Sequence, residues 1–183
     1  MFTVPNIITI MRVLLIPVMV YLIMERRYDV AFYVFLESAL SDLIDGFIAR
    51  RFNQMSQFGA VLDPVADKLT MLTLTVLLAS QGILPEWLAI AIVARDVVIV
   101  SGAVTYRFVV GHVEMQPTIL SKLNTLLEFF VIAVVLAQAA HVFVAEPWLG
   151  RLFMVVFVTV VASGLQYVWL WSAKAMRGGH GEE

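Results

Sequence analysis

Four aspartates, two glycines and an arginine recur at helical spacings between residues 42 and 68 of an otherwise mostly apolar chain. They are Asp42, Asp45, Gly46, Arg50, Gly59, Asp63 and Asp67. A carboxylate near hydrocarbon is costly because nothing there replaces its water, so such residues normally face an internal cavity and carry function. Four of them in one helical hairpin need positive charge to stay ionised, and a divalent metal supplies it compactly. Asp42 and Asp45 are three residues apart, Asp63 and Asp67 four apart, so each pair lies on one face of a helix. With residues 51–58 as a short connection, the two helices run antiparallel and the pairs face each other. Hard oxygen donors suit Mg²⁺ or Mn²⁺, and two such ions held close together would clamp phosphoryl oxygens. The chain has no Cys, and its three His (His112, His141, His180) lie far away in sequence, which argues against a soft zinc-type centre. Gly46 and Gly59 leave the backbone open to close approach by a ligand, and Ala49 keeps that face shallow. Arg50 offers a planar fork suited to phosphate.

Each of these residues also has a plainer reading. Asp63 before Pro64 could cap a helix whose first residue is proline. Asp67 could neutralise Lys68, and Arg50-Arg51 could be an ordinary flank of a membrane span. Each plain reading accounts for one residue and none for the ensemble.

The elements that must position these groups follow from composition. The chain has 183 residues, 61% hydrophobic and 14% charged, with mean hydropathy +0.92, as in polytopic membrane proteins. A formal charge of −2 gives no footprint for nucleic acid. The first apolar run lacks a charged n-region and a small-residue cleavage site, so it is expected to remain in the mature protein. Six spans of about 20 residues fit: roughly Val4–Met24, Val30–Arg50, Gly59–Ser80, Glu86–Val110, Thr118–Phe143 and Trp148–Ala173. The expectation is an all-α integral membrane protein of six transmembrane helices, with an intramembrane polar cavity open to the cytoplasmic side. Residues 1–173 would form a single membrane domain, and 174–183 a mobile tail. Basic residues outside the spans place both termini in the cytoplasm: Arg50, Arg51, Arg107, Lys174 and Arg177 would lie inside, against Arg26, Arg27 and Arg151 outside. The four tryptophans (Trp87, Trp148, Trp169, Trp171) sit near span ends as interfacial anchors, and Gly102 and Ala103 could mark close helix contacts.

Arg95-Asp96 interrupts the fourth apolar run, either as a neutralising pair, as a contact to another helix, or as a basic wall for a phosphate. Arg107, twelve residues on, is expected on the same general face. Lys122 opens the fifth span, as a snorkelling end residue or as an approach to phosphate. Asn6, Thr9 and Arg12 form one polar stripe on the first helix. Glu37 and Glu128 are expected to be internal pairing partners outside the site.

The string Asp42-x2-Asp45-Gly46-x2-Ala49-Arg50-x8-Gly59-x3-Asp63-x3-Asp67 resembles the full motif of the CDP-alcohol phosphatidyltransferases. A chance match at eight fixed positions is on the order of 10⁻¹⁰ at ordinary residue frequencies. The resemblance covers about residues 4 to 130, and the sixth span is generic. It implies transfer of a phosphatidyl group from CDP-diacylglycerol to an alcohol with release of CMP. It further implies that Asp42, Asp45, Asp63 and Asp67 hold the metal ions and that Asp67 is the general base. Asn6, Thr9, Gly46, Ala49, Arg50 and Gly59 would contact the CDP part. Arg12, Arg95, Arg107, Lys122 and Asn124 would contact the acceptor or its phosphate. A homodimer, in a bacterial inner membrane, is the implied assembly.

Within the family, Arg95-Asp96-Val97-Val98, Tyr106-Arg107 and Pro117-Thr118-Ile119-Leu120-Ser121-Lys122-Leu123-Asn124-Thr125 look more like the cardiolipin synthase branch. The glycerophosphate branch usually has Arg-Glu in the fourth span and a second lysine where Asn124 stands. A monoanionic phosphatidylglycerol needs less positive charge than glycerol 3-phosphate, so Asn124 fits phosphatidylglycerol as acceptor. The alternative acceptor is glycerol 3-phosphate. Among other classes, an ion channel or transporter would spread its charges along the spans rather than bunch them with glycines.

Overall fold

A computed structural model gives the backbone of residues 4–52, 57–110, 118–142, 144 and 146–178. Within these it describes the side chains of residues 11, 13–41, 65–105, 118–142, 144 and 146–172. The described residues form six α-helices: α1 Val4–Met24, α2 Tyr28–Phe52, α3 Gln57–Ser80, α4 Glu86–Val110, α5 Ile119–Ala139 and α6 Glu146–Gly178. The architecture is all-helical. Three of these helices are long and apolar enough to cross a membrane: Glu86–Thr105 of α4, Ile119–Ala139 of α5 and Glu146–Ser172 of α6. α1 contributes a shorter apolar stretch, Val13–Met24. α2 carries Asp29, Glu37, Asp42, Asp45, Arg50 and Arg51 within its 25 residues, so composition alone does not make it a span.

Two compact units divide the chain. One comprises residues 1–84 and 132–145, the other residues 85–131 and 146–183. In the first, α1 packs on both α2 and α3, burying Met19, Leu22 and Ile23 of α1, Ala31 and Phe35 of α2, and Ala66, Leu74 and Leu78 of α3. In the second, α4 packs on α6, with Leu88, Ile92, Phe153, Val156 and Val160 buried. Trp87 meets Phe157 edge-on, ring centroids 5.3 Å apart. Most outward-facing positions in the middle of α4 are apolar (Ile90, Val97, Val100 and Val104 are exposed), as a lipid-facing surface requires.

The odd-numbered helices stop in the same way. After α1, the amide of Arg27 donates to Leu22 O and that of Arg26 to Ile23 O, with Arg26 left-handed at φ 57°. After α3, Ile83 donates to Leu78 O and Gly82 to Ala79 O, with Gly82 at φ 72°. After α5, Val142 donates to Ala137 O and His141 to Gln138 O, with His141 at φ 56°. These are Schellman stops, which satisfy the last carbonyls of a helix. The third ends α5 at Ala139, four residues before the expected Phe143. α2 begins two residues earlier than expected and ends two later. α6 begins at Glu146, with Pro147 in its first turn, and runs on through Lys174 to Gly178.

Gly102 of α4 faces Trp171 of α6: a Cβ there would lie 3.0 Å from Trp171 Nε1 and 3.2 Å from Cδ1. Trp171 therefore packs within the α4–α6 pair, whereas Trp169 is 69% exposed. Gly102→Leu is expected to force the indole aside and destabilise the chain by about 1–3 kcal/mol, read as an earlier thermal transition in detergent. A Cβ at Gly82 would meet nothing within 4 Å, so Gly82→Ala isolates the backbone cost of the left-handed turn, about 1–2 kcal/mol. His141→Gly should shift the same melting curve in the opposite direction.

Candidate active site

The acidic motif is carried by two consecutive helices. Asp42, Asp45, Gly46, Ala49 and Arg50 all lie on α2, while Gly59, Asp63 and Asp67 lie on α3. Only residues 53–56 separate the two helices. At 1.5 Å of rise per residue, Asp42 stands about 15 Å and Asp45 about 10 Å before the end of α2. Asp63 stands about 9 Å and Asp67 about 15 Å beyond the start of α3 by the same measure. Counted along the helices, the two pairs thus stand at equal distances on either side of one short connection.

Helical register aligns them further. At about 100° per residue, Asp42, Asp45, Gly46 and Ala49 fall within about 100° of one another around α2. Gly59, Asp63 and Asp67 follow each other at intervals of four and form one stripe on α3. Asp67 is exposed and Ala66 beside it is buried. The side chains of Asp42, Asp45, Gly46, Ala49, Arg50, Gly59 and Asp63 lie outside the described residues. So do those of Asn6, Thr9 and Arg12 on α1 and of Arg107 on α4. Among the described residues, no group of three or more acidic or His side chains could hold a metal ion. The donor set itself is four carboxylates on two adjoining helices, chemistry that fits a hard divalent cation.

The remaining expected site residues fall in the second unit. Arg95, 5% exposed, donates from Nη1 to Asp96 Oδ1 at 2.8 Å. Its Nη2 donates to Ser121 Oγ of α5 at 2.8 Å and to Ser163 Oγ of α6 at 3.0 Å. Arg95 is therefore both a neutralising pair and a contact to other helices. Its Nε is buried with no hydrogen-bond partner among the described residues. Over the unbroken α4, the twelve residues from Arg95 to Arg107 make about three and a third turns. Arg107 thus sits about 120° round from Arg95, and the expectation of a shared face does not hold.

Asn124 is fully buried. Its Nδ2 donates to Glu128 Oε1, and its Oδ1 accepts from Thr159 Oγ1 of α6 at 3.0 Å. Glu128, 3% exposed, is thus an internal pairing partner, as expected. Lys122 is exposed on the first turn of α5, whose cap is Thr118: its Oγ1 accepts the Ser121 amide at 3.2 Å. Thr118 Oγ1 also meets Gln166 Oε1 of α6 at 3.0 Å. No part in the site is expected of α6 from its apolar sequence. Its signal was Thr159, Ser163 and Gln166 at i, i+4 and i+7, one polar stripe on an apolar helix.

The chain resembles known proteins over most of its length. It is 36% identical over 182 residues to a "Cardiolipin synthase (CMP-forming) / mitochondrial hydrolase fusion protein" of Schizosaccharomyces pombe, a match covering 91% of this chain and 30% of that protein. It is 33% identical over 182 residues to the human "Cardiolipin synthase (CMP-forming)", covering 91% of this chain and 60% of that one. It is 45% identical over 103 residues to a "CDP-diacylglycerol--glycerol-3-phosphate 3-phosphatidyltransferase" of Pseudomonas fluorescens, covering 52% of each. The chain thus spans between 30% and 60% of the length of these relatives. A sequence model of the CDP-alcohol phosphatidyltransferases matches residues 2–171, taking in the two acidic helices and the buried polar contacts of α4, α5 and α6. With nearly its whole length inside that match, the chain belongs to the CDP-alcohol phosphatidyltransferase family.

Proposed function

We propose that the chain transfers the phosphatidyl group of CDP-diacylglycerol to phosphatidylglycerol, forming cardiolipin and CMP. The observation that carries this reading is the match over 182 residues to proteins named as CMP-forming cardiolipin synthases. Asp42, Asp45, Asp63 and Asp67 are the ligands we assign to a pair of Mg²⁺ or Mn²⁺ ions. When bound, such ions neutralise the pyrophosphate and stabilise charge on the leaving phosphate. Asn6, Thr9, Gly46, Ala49, Arg50 and Gly59 bind and orient the CDP part, the glycines by leaving the backbone open to it.

The reaction balances simply. The free primary hydroxyl of the acceptor attacks the phosphorus bearing diacylglycerol, a new P–O bond forms, and the P–O bond to CMP breaks with its electrons leaving on CMP. Asp67, exposed on α3, takes the hydroxyl proton. A carboxylate is a weak base for an alcohol, so its efficiency depends on a neighbouring positive charge that makes the hydroxyl more acidic. Arg12, Arg107 and Lys122 supply cations for the acceptor phosphate, with Arg95 and Asn124 behind Lys122 in the protein interior.

In this reading residues 1–173 work as one membrane domain with six spans, a polar cavity open to the cytoplasm and both termini on that side. The protein is a homodimer of the bacterial inner membrane. A second reading, with glycerol 3-phosphate as acceptor, is favoured by the resemblance to the Pseudomonas fluorescens transferase.

Purified chain given CDP-diacylglycerol and each acceptor in turn, with products identified by mass, tests the proposal. Cardiolipin and CMP are expected with phosphatidylglycerol, and only in the presence of Mg²⁺ or Mn²⁺. Phosphatidylglycerophosphate as the main product would install the second reading. Asp67→Asn should lower kcat by about 10²–10⁴-fold, the usual contribution of a general base; an unchanged kcat would remove Asp67 from that role.

A further inference from the structure

The buried polar contacts between α5 and α6 form a ladder. Thr118 meets Gln166, Ser121 meets Ser163 through the shared Arg95 guanidinium, and Asn124 meets Thr159. As the residue number rises on α5 it falls on α6, as antiparallel helices require. Thr159 shares its hydroxyl proton between Asn124 Oδ1 and the Val156 carbonyl at 2.8 Å. Beyond Glu128 the buried positions of both helices turn apolar: Val131 on α5, Val156 and Phe153 on α6.

The burial of these groups decides what they can do. Asn124 and Ser163 are 0% exposed and Arg95 only 5%, and both terminal nitrogens of the guanidinium already donate to protein oxygens. Arg95, Asn124 and Ser163 are thus closed to a headgroup, while Thr118, Ser121, Thr159 and Gln166 are half-buried. The outer side of α5 is different: Ile119, Leu123, Leu126 and Phe130 are exposed, with Lys122 among them.

An apolar helix surface gains little by turning one way or another in lipid, because hydrocarbon solvates it as well as a neighbouring helix does. Hydrogen-bonding side chains do select an orientation, since any other leaves them without partners. Turning α5 by one residue, about 100°, would break the rungs at Ser121 and Asn124.

We propose that Arg95 and Asn124 are positioning residues, which fix the rotation of α5 against α6 and thereby aim Lys122 at the acceptor phosphate. This rests on the acceptor role given to Lys122 above and makes the roles of Arg95 and Asn124 indirect. The chain contains no cysteine, so a single Lys122→Cys can be labelled with a water-soluble maleimide in the full-length protein. Thr159→Val and Ser163→Ala remove two rung hydroxyls without touching α5. In that double-variant background the labelling rate at position 122 should change at least about threefold, a break in helix orientation that loss of these hydrogen bonds permits. A control, Leu69→Cys on α3, should label as before. With Lys122 present, the same double variant should raise the KM for phosphatidylglycerol about 3–10-fold and leave that for CDP-diacylglycerol unchanged. Thr159→Ser, which keeps the hydroxyl, should behave as the parent.

Unchanged labelling at position 122 would overturn the proposal. So would equal rises in both KM values, the pattern of a general structural defect. Altered labelling with an unaltered phosphatidylglycerol KM would overturn the link to the acceptor. If the parent chain makes no cardiolipin while labelling still shifts, the seam's control of Lys122 is upheld and the acceptor assignment falls.

Discussion

Carboxylates embedded in an apolar chain have to be compensated locally, and that requirement governs the first half of this molecule. Asp42, Asp45, Asp63 and Asp67 stand in helices whose neighbours are largely Leu, Ile, Val, Phe and Ala. The basic residues among them, Arg50, Arg51 and Lys68, are fewer than the four carboxylates. A small divalent ion meets the requirement most compactly, because it carries two charges and accepts oxygen ligands from two helices together. Only residues 53–56 separate the two helices that carry the four. Along each helix the pairs stand about 9–15 Å from that connection at 1.5 Å per residue, and α1 packs against both helices that carry them.

The second half solves the same problem differently. Arg95 on α4 is answered by protein groups: its neighbour Asp96 and the hydroxyls of Ser121 and Ser163. Asn124 is answered by Glu128 and Thr159. Hydrogen bonds of this kind between membrane helices average about 0.6 kcal/mol each, so they matter less for stability than for specifying one orientation of three apolar helices. The polar residues of the second half thus serve helix register, whereas the four aspartates of the first half are the metal ligands we propose.

Much of this was legible in the residues. The bounds of α1 and α4 follow from where apolar runs begin and end, and α3 stops at Ser80 because Gly82 takes the left-handed position just beyond. α5 was harder, because His141 occupies that position without being glycine, and the apolar run continues to Phe143 with nothing to mark the stop. Arg95-Asp96 announced a buried pair, but its partners on α5 and α6 lie 26 and 68 residues away, a distance that no local pattern reveals. Thr159, Ser163 and Gln166 are ordinary residues in membrane helices, and only their common stripe distinguishes them. Trp171 resembled an interfacial anchor by position, yet the absent side chain at Gly102 opens a place for it between helices. The expected metal and CDP ligands rest on motif and register, since of these only Asp67 has a described side chain.

The claim on which everything else depends is that the aspartates of α2 and α3 together hold divalent ions. Mn²⁺ titration of the purified protein, followed by the electron paramagnetic resonance of the free ion, measures this without reference to turnover. The account predicts saturable binding by the parent chain. Asp42→Asn and Asp63→Asn should each weaken it by at least the roughly 10–100-fold that loss of a ligand's supporting contact costs, and Glu37→Gln on the same helix should leave it intact. Binding that is absent from the parent, or unchanged when both Asp42 and Asp63 are replaced, would contradict it.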